Sequence, residues 1–222
     1  MMSAGLTREL IALRVARELS DGMTVNLGIG LPTLVANFIP ADVHITLHAE
    51  NGILGYGGIV TDDAAFDQDL INAGGQPVTL KDGAAFFDSA TSFAMIRGGH
   101  VDVTVLGGLQ VSATGDLANW SVPGRGGGAI GGAMDLAAGA RRVIVAMEHT
   151  TREGEPRILE RCTYPLTAER CVDLVVTNLG VLELTPQGIA LREVAPGVSV
   201  AEVQAATGTK LLIPENVKVM DL

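Results

Sequence analysis

The stretch VDVTVLGGLQV, Val101–Val111, decides how this sequence folds. Aliphatic and β-branched residues follow one another with almost no polar alternation, the pattern of a strand covered on both faces. RRVIVAMEH (141–149) and VDLVVTNLG (172–180) repeat it. Ahead of the first run, DSATSFAMIRGGH predicts a helix over 89–97 stopped by Gly98. Between the first two runs, PGRGGGAIGGAMDLAAGA predicts a glycine loop entering a small helix. Buried strands alternating with helices imply a parallel sheet. The chain is therefore read as α/β: a single open, largely parallel sheet flanked by helices, one domain over 1–222.

The flanking sequence fits that frame. Residues 6–20 predict a helix capped by Thr7 and stopped by Gly22, with Leu6, Leu10, Leu13 and Leu19 near one face. MTVNLGIGLP reads as a strand ending in a glycine turn, with Pro32 opening a helix to about Phe38. VHITLHA (43–49) is the next strand. A glycine cluster follows it, then an acidic loop with Asp62, Asp63, Asp67 and Asp69, and a short strand near Val78. GVLELTPQGIALREV alternates around a Pro-Gln-Gly turn, which predicts a hairpin near the surface. Ser199–Glu202 fits a capping box for a last helix ended by Gly208. In sheets of this kind ligands gather at the carboxyl ends of strands, which singles out Asn26, Glu50, Gln110 and Glu148.

Composition narrows the function. The net charge of −10 argues against nucleic acid as a partner, because neutralising phosphates takes Lys and Arg. Cys162 and Cys171, with no metal spacing, suit a reducing compartment. The first residues lack the apolar core of a signal peptide, and no run approaches a membrane span. A soluble, cytoplasmic protein is expected, without membrane partner or metal. The 28 glycines come in clusters without a period, which points to backbone-shaped sites.

Several chemistries fail on context. Gly126, Gly128 and Gly131 match G-x-G-x-x-G, with Glu148 about one crossover later. A dinucleotide site needs a strand running into those glycines, and Pro123 and Gly124 break any such strand. No G-x-x-x-x-G-K-[ST] or G-x-S-x-G occurs. His44 and His48 are four apart on a predicted strand, too far apart to share a metal; with His100 and His149 they read as satisfied or exposed. Glu50, in LHAENGILGYGG (47–58), differs. A carboxylate is ionised at neutral pH, needs no base to act as a nucleophile, and forms an acyl product reactive enough for exchange. Gly52, Gly55 and Gly57 behind it would let backbone and substrate come close. The plain alternative is a solvated acidic turn, and spacing alone does not choose between the two.

Taken in order, VNLGIGLP, LHAENGILGYG, DLINAGG, SFAMIRGGHVDVTVLGGLQV, GDLANW, GGAMDL and MEHTTREGEPRILERCTYPLT resemble the beta subunit of family I CoA-transferases of the 3-oxoacid group. The resemblance implies a CoA-transferase fold. It also implies ping-pong transfer of CoA from an acyl-CoA to a carboxylic acid, a 3-oxoacid by default, with Glu50 as nucleophile and a glutamyl-CoA thioester. Coenzyme A is then a substrate, and no cofactor is expected. By the same resemblance Asn119 and the backbone N–H groups near Gly131 and Gly132 stabilise developing charge, and Asn26 lies beside the substrate acid. An alpha subunit is expected in a heterodimer or heterotetramer, and the basic groups for CoA phosphates would come from that partner or from Arg125. The sequence departs from the family pattern at Ala49, usually Ser; at Gly75, often Lys; and in GYGGIV, usually Gly-Pro. The core chemistry survives these changes, while the acid's identity is left open. An acyl-CoA hydrolase using the same glutamate is the alternative.

Overall fold

In the computed structural model, residues 5–60, 67–125 and 128–222 are described; Asp62, Asp63 and Gly126 lie outside them. Along the chain run α1 (Arg8–Ala16), β1 (Thr24–Leu27), a 3₁₀ helix (Pro32–Phe38), β2 (Thr46–Ala49), β3 (Ile53–Ile59), β4 (Val78–Phe86) and α2 (Ser89–Arg97). Next come β5 (Val103–Gly107), β6 (Gln110–Ser112), β7 (Leu117–Ala118), α3 (Ala133–Gly139), β8 (Arg142–Met147) and β9 (Ile158–Leu159). The chain ends with β10 (Leu174–Thr177), β11 (Gly180–Thr185), β12 (Gly188–Val194), α4 (Val200–Ala206) and β13 (Lys218–Val219).

Ten of these strands form one sheet in the order β13-β12-β11-β10-β8-β5-β1-β2-β3-β4. Its middle, from β10 through β8, β5 and β1 to β2, is parallel throughout. Antiparallel hairpins extend it at both ends. Every residue from Val103 to Leu106, from Val143 to Met147 and from Leu174 to Thr177 is buried. Those are the uninterrupted runs of the sequence, and the core sits around them.

Several boundaries differ from expectation. The stretch 101–111 is two strands: it breaks at Gly107–Gly108, and Gln110 starts a separate three-stranded sheet, β7-β6-β9. The glycine cluster after Glu50 is itself a strand, β3, between β2 and β4. The helix at Arg8 ends at Ala16, six residues before Gly22, and its buried stripe is Ile11, Ala12, Val15 and Ala16 rather than the leucines at 6, 10 and 13. Gly208 does not terminate α4 through a left-handed turn; its N–H bonds to the Ile158 carbonyl at 2.8 Å. Thr7, Asp88 and the Ser199–Glu202 box cap α1, α2 and α4 through side-chain hydrogen bonds.

One buried ion network joins distant elements. Arg14, 5% exposed, forks onto both carboxylate oxygens of Glu193 at 2.8 Å and donates to Glu18 at 2.9 Å. Arg142 donates to the other oxygen of Glu18 at 2.7 Å. Burial opposes ionisation of Glu18, but the hydrogen bonds from Arg142 and Arg14 outweigh it and hold the carboxyl below its usual range.

Candidate active site

Glu50 sits where β2 turns back into β3. Ala49 pairs with Ile53, and the Gly52 N–H closes the turn onto the Ala49 carbonyl at 2.9 Å. Asn51 ties the turn to the Ile71 carbonyl at 2.8 Å. At Gly52 φ is +121°, and a Cβ there would run into the Phe87 carbonyl oxygen. Only glycine fits both demands. Gly55 packs on Ala84 and Gly57 on Thr79, both of β4. The three glycines therefore seat β3 against the chain beside it, instead of opening a route to the carboxylate as the sequence suggested. The glycine that comes near Glu50 is Gly132, where a Cβ would stand 3.6 Å from Glu50 Cγ.

Behind the carboxylate lies a buried polar row. His48 and Asn26 are register partners on β2 and β1, and Asn26 is paired in turn with Thr104 on β5. Asn26 Nδ2 donates to Glu50 Oε2 at 3.0 Å and to the His48 carbonyl at 3.1 Å, and lies 3.2 Å from His48 Nδ1. His48 Nε2 meets Ser92 Oγ of α2 at 3.0 Å, and the imidazole stacks on Phe87. Burial lowers the pKa of His48 despite the opposing pull of the Glu50 charge, which favours a neutral ring.

In front of the carboxylate is a cavity of about 490 Å³. Glu50, Asn119, Gly131 and Gly132 all line it, with Gly28 and Trp120. Asn26 does not line it and acts from behind. Thr167 donates to Asn119 Oδ1 at 2.6 Å, which turns the amide nitrogen away from Thr167. Gly132 precedes α3, and Gly131 takes a left-handed φ of +52°. Ile29, 71% exposed, stands at the rim.

Other singled-out residues fall elsewhere. Gln110 is occupied as a clamp, accepting from the backbones of Thr163 and Tyr164 and donating to Thr163 Oγ1. Glu148 lines a neighbouring cavity of about 720 Å³ with Arg8, Arg152 and Arg157. Arg125 lines a third of about 640 Å³. Residues 121–125, ahead of the glycine pattern, carry no strand. His149, fully buried between Thr177 and Thr207 at 2.9 Å each, has its pKa pushed down by burial to about 4. His44 lies exposed, ahead of β2. Among the described residues no group of three or more His, Cys, Asp or Glu converges as metal ligands would, and no helix is long and apolar enough to cross a membrane.

Sequence reasoning missed His48, Ser92 and Thr167. The signal for His48 was its position two residues before Glu50, hence on the same face of β2. Ser92 and Thr167 arrive from α2 and from the segment after β9, which no local pattern connects to Glu50.

A family model described as Coenzyme A transferase matches residues 8–206. The chain is 54% identical over 200 residues to the acetate CoA-transferase subunit beta of Escherichia coli, covering 90% of this chain and 91% of that one. It is 47% identical over 215 residues to the human mitochondrial succinyl-CoA:3-ketoacid coenzyme A transferase 2, covering 96% of this chain but 41% of that longer one. Among solved structures, an Escherichia coli acyl-CoA transferase apoenzyme superposes with a TM-score of 0.78 at 23% identity, over 97% of this chain and 43% of that one. At that identity the likeness concerns the fold alone.

Proposed function

The chain belongs to the coenzyme A transferase family, and from that premise we propose that Glu50 is the nucleophile of a ping-pong transfer of CoA between an acyl-CoA and a carboxylic acid. Glu50 Oε1, which has no hydrogen-bond partner among the described residues, attacks the thioester carbonyl. The C–S bond breaks, CoA leaves as thiolate, and an acyl-glutamyl anhydride remains. The thiolate then attacks the glutamyl carbonyl, the donor acid departs with the former Oε1, and a glutamyl-CoA thioester is formed. The acceptor carboxylate reverses both steps and leaves as the new acyl-CoA.

The observation that carries this reading is the Asn26 Nδ2–H on Glu50 Oε2 at 3.0 Å. That oxygen remains on the glutamyl group throughout, and it takes on negative charge whenever the glutamyl carbonyl is attacked. A donor already in place there is worth roughly 10²–10³ in rate. Asn119 Nδ2 and the N–H groups of Gly131 and Gly132 are the candidates for the oxygen of the incoming acyl group. Coenzyme A enters as substrate, and no resident cofactor takes part.

We take a 3-oxoacid as the first acceptor to try, since relatives carry the names of both acetate and 3-ketoacid enzymes. The name "subunit beta" of one relative and the greater length of the human one support an alpha partner in a heterodimer or heterotetramer. Exposed Ile29 at the cavity rim, and a lining that among the described residues holds no cation, give that partner a surface to cover and CoA phosphates to hold. The cytoplasm is the proposed compartment.

The test is to co-purify the chain with its partner, add acyl-CoA without acceptor, and weigh the Glu50 peptide. A CoA adduct on Glu50 is expected. Consumption of acyl-CoA without an adduct would replace transfer by hydrolysis, and Glu50→Gln with undiminished turnover would remove the carboxylate from the mechanism.

A further inference from the structure

We infer that His48 is a positioning residue for the transfer, fixing which end of the Asn26 amide faces Glu50. The inference rests on the reading of Glu50 as nucleophile. An asparagine amide is nearly symmetric in shape, so only its hydrogen-bond partners decide where its nitrogen lies. At Asn26 three acceptors surround one end: Glu50 Oε2 at 3.0 Å, the His48 carbonyl at 3.1 Å and His48 Nδ1 at 3.2 Å. Turned over, the amide would aim its oxygen at all three and leave the glutamyl oxygen without a donor.

For His48 Nδ1 to accept, the ring proton must sit on Nε2, where it donates to Ser92 Oγ at 3.0 Å. Ser92 and His48 are both buried, at 0% and 1% exposure, so no solvent competes for these contacts. With Nδ1 as acceptor, the order of donation is His48 Nε2–H to Ser92, and the two Asn26 Nδ2 hydrogens serve Glu50 Oε2 and, shared between them, the His48 carbonyl and His48 Nδ1. The imidazole does not line the cavity in front of Glu50. It holds one rotamer of one amide, and through it the donor on Glu50. The neutral ring that burial favours is the form this order requires.

The experiment uses the complex with its partner subunit and two substitutions. His48→Leu keeps an apolar side chain of similar size but removes the acceptor. His48→Asn puts an oxygen at the same number of bonds from the backbone as Nδ1. The expected result is a kcat about three- to tenfold lower for His48→Leu, the worth of one hydrogen bond, with both KM values within about twofold. His48→Asn should recover most of that loss. In wild type, ¹⁵N-histidine spectra between pH 6 and 8 should show a non-protonated Nδ1 at His48. An unchanged kcat in His48→Leu would overturn the inference. So would equal losses in both variants that follow equal losses of thermal stability, or an Nδ1–H resonance. Failure of the wild-type complex to form a Glu50 adduct would instead strike at the proposed function.

Discussion

Asn26→Asp is the most searching perturbation of this site. It changes one NH₂ into an oxygen with almost no change of shape, and it places a second carboxylate 3.0 Å from Glu50 Oε2. At an effective dielectric constant of about 20, two charges at that distance repel by about 5 kcal/mol. Solvent at the open side of the cavity screens the pair, so about 2–3 kcal/mol is a conservative figure, or about 30- to 150-fold in proton affinity. The pair then retains a shared proton to higher pH than either carboxyl alone. A shift of that size on an ordinary carboxyl leaves the pair largely ionised at pH 7, so the expected fall of at least about 100-fold there comes from the lost donor, and the shared proton deepens it at lower pH. Activity should climb again as the pH rises. The folded pair binds its proton more tightly than the unfolded chain does. Relative to wild type, the variant is therefore closest in stability at low pH and loses ground as the pH rises through the pair's titration. Initial rates of CoA transfer from pH 5 to 9, beside urea melts at the same pH values, read both effects. A variant with near-normal rate and a flat pH profile would refute the contact between Asn26 and Glu50 as the source of catalysis.

Gly52→Ala should lower Tm by several degrees, since it combines a left-handed backbone with a collision against the Phe87 carbonyl at about 1–3 kcal/mol or more, and a chain of this size loses about 2–4 °C per kcal/mol; an unchanged melting curve would contradict the turn geometry. Ala49→Ser should leave turnover within about twofold, because Ala49 is 2% exposed in the core and absent from the cavity lining, while burying a hydroxyl costs about 1–3 kcal/mol in a denaturant melt. A tenfold change in rate would instead place that position in the reaction. Arg14→Ala leaves Glu193 without its cation and Glu18 with Arg142 alone, and should cost about 2–4 kcal/mol at pH 7. Because the folded-state pKa of Glu18 is depressed, the stabilisation exists above the unfolded carboxyl range, near pH 4, and is lost as the pH falls below it. The gap between variant and wild type should therefore narrow in melts at pH 3.5.

Local signals in the sequence were strong wherever an element is decided by its own residues. The helix at Ser89–Arg97 has its cap, its length and its Gly98 stop within thirteen residues. The Ser199–Glu202 box and the Gly180–Val194 hairpin are equally self-contained. The strand Ile53–Ile59 was hidden because glycine carries no strand preference, and what makes it a strand is the fit of β4 against Gly55 and Gly57. The leucines of α1 misled because the buried stripe runs through alanines and through Arg14, whose guanidinium is tolerated only because Glu18 and Glu193 meet it from elsewhere. At the site, the wall of the cavity was legible as residues but not as a wall. Glu50, Asn119 and Gly131 are scattered over eighty-odd positions and arrive from the end of β2, the end of β7 and the residues before α3, elements that no local pattern joins.

The turn that carries Glu50 has a consequence for how such a protein diversifies. The proposed nucleophile Glu50 follows directly on β2, and Asn26 and His48 behind it are register partners on β1 and β2, with the turn closed by Gly52 and Phe87. The opposite wall is made of other pieces of chain, the bend around Ala73 and the segment from Ala129 to Ala133. The segment from Ala129 to Ala133 also carries the Gly131 and Gly132 N–H groups proposed for the acyl oxygen, so of these two pieces only the bend around Ala73 is free of a proposed part in the reaction. Remodelling that bend would reshape the cavity in front of Glu50 while the carboxylate keeps its place.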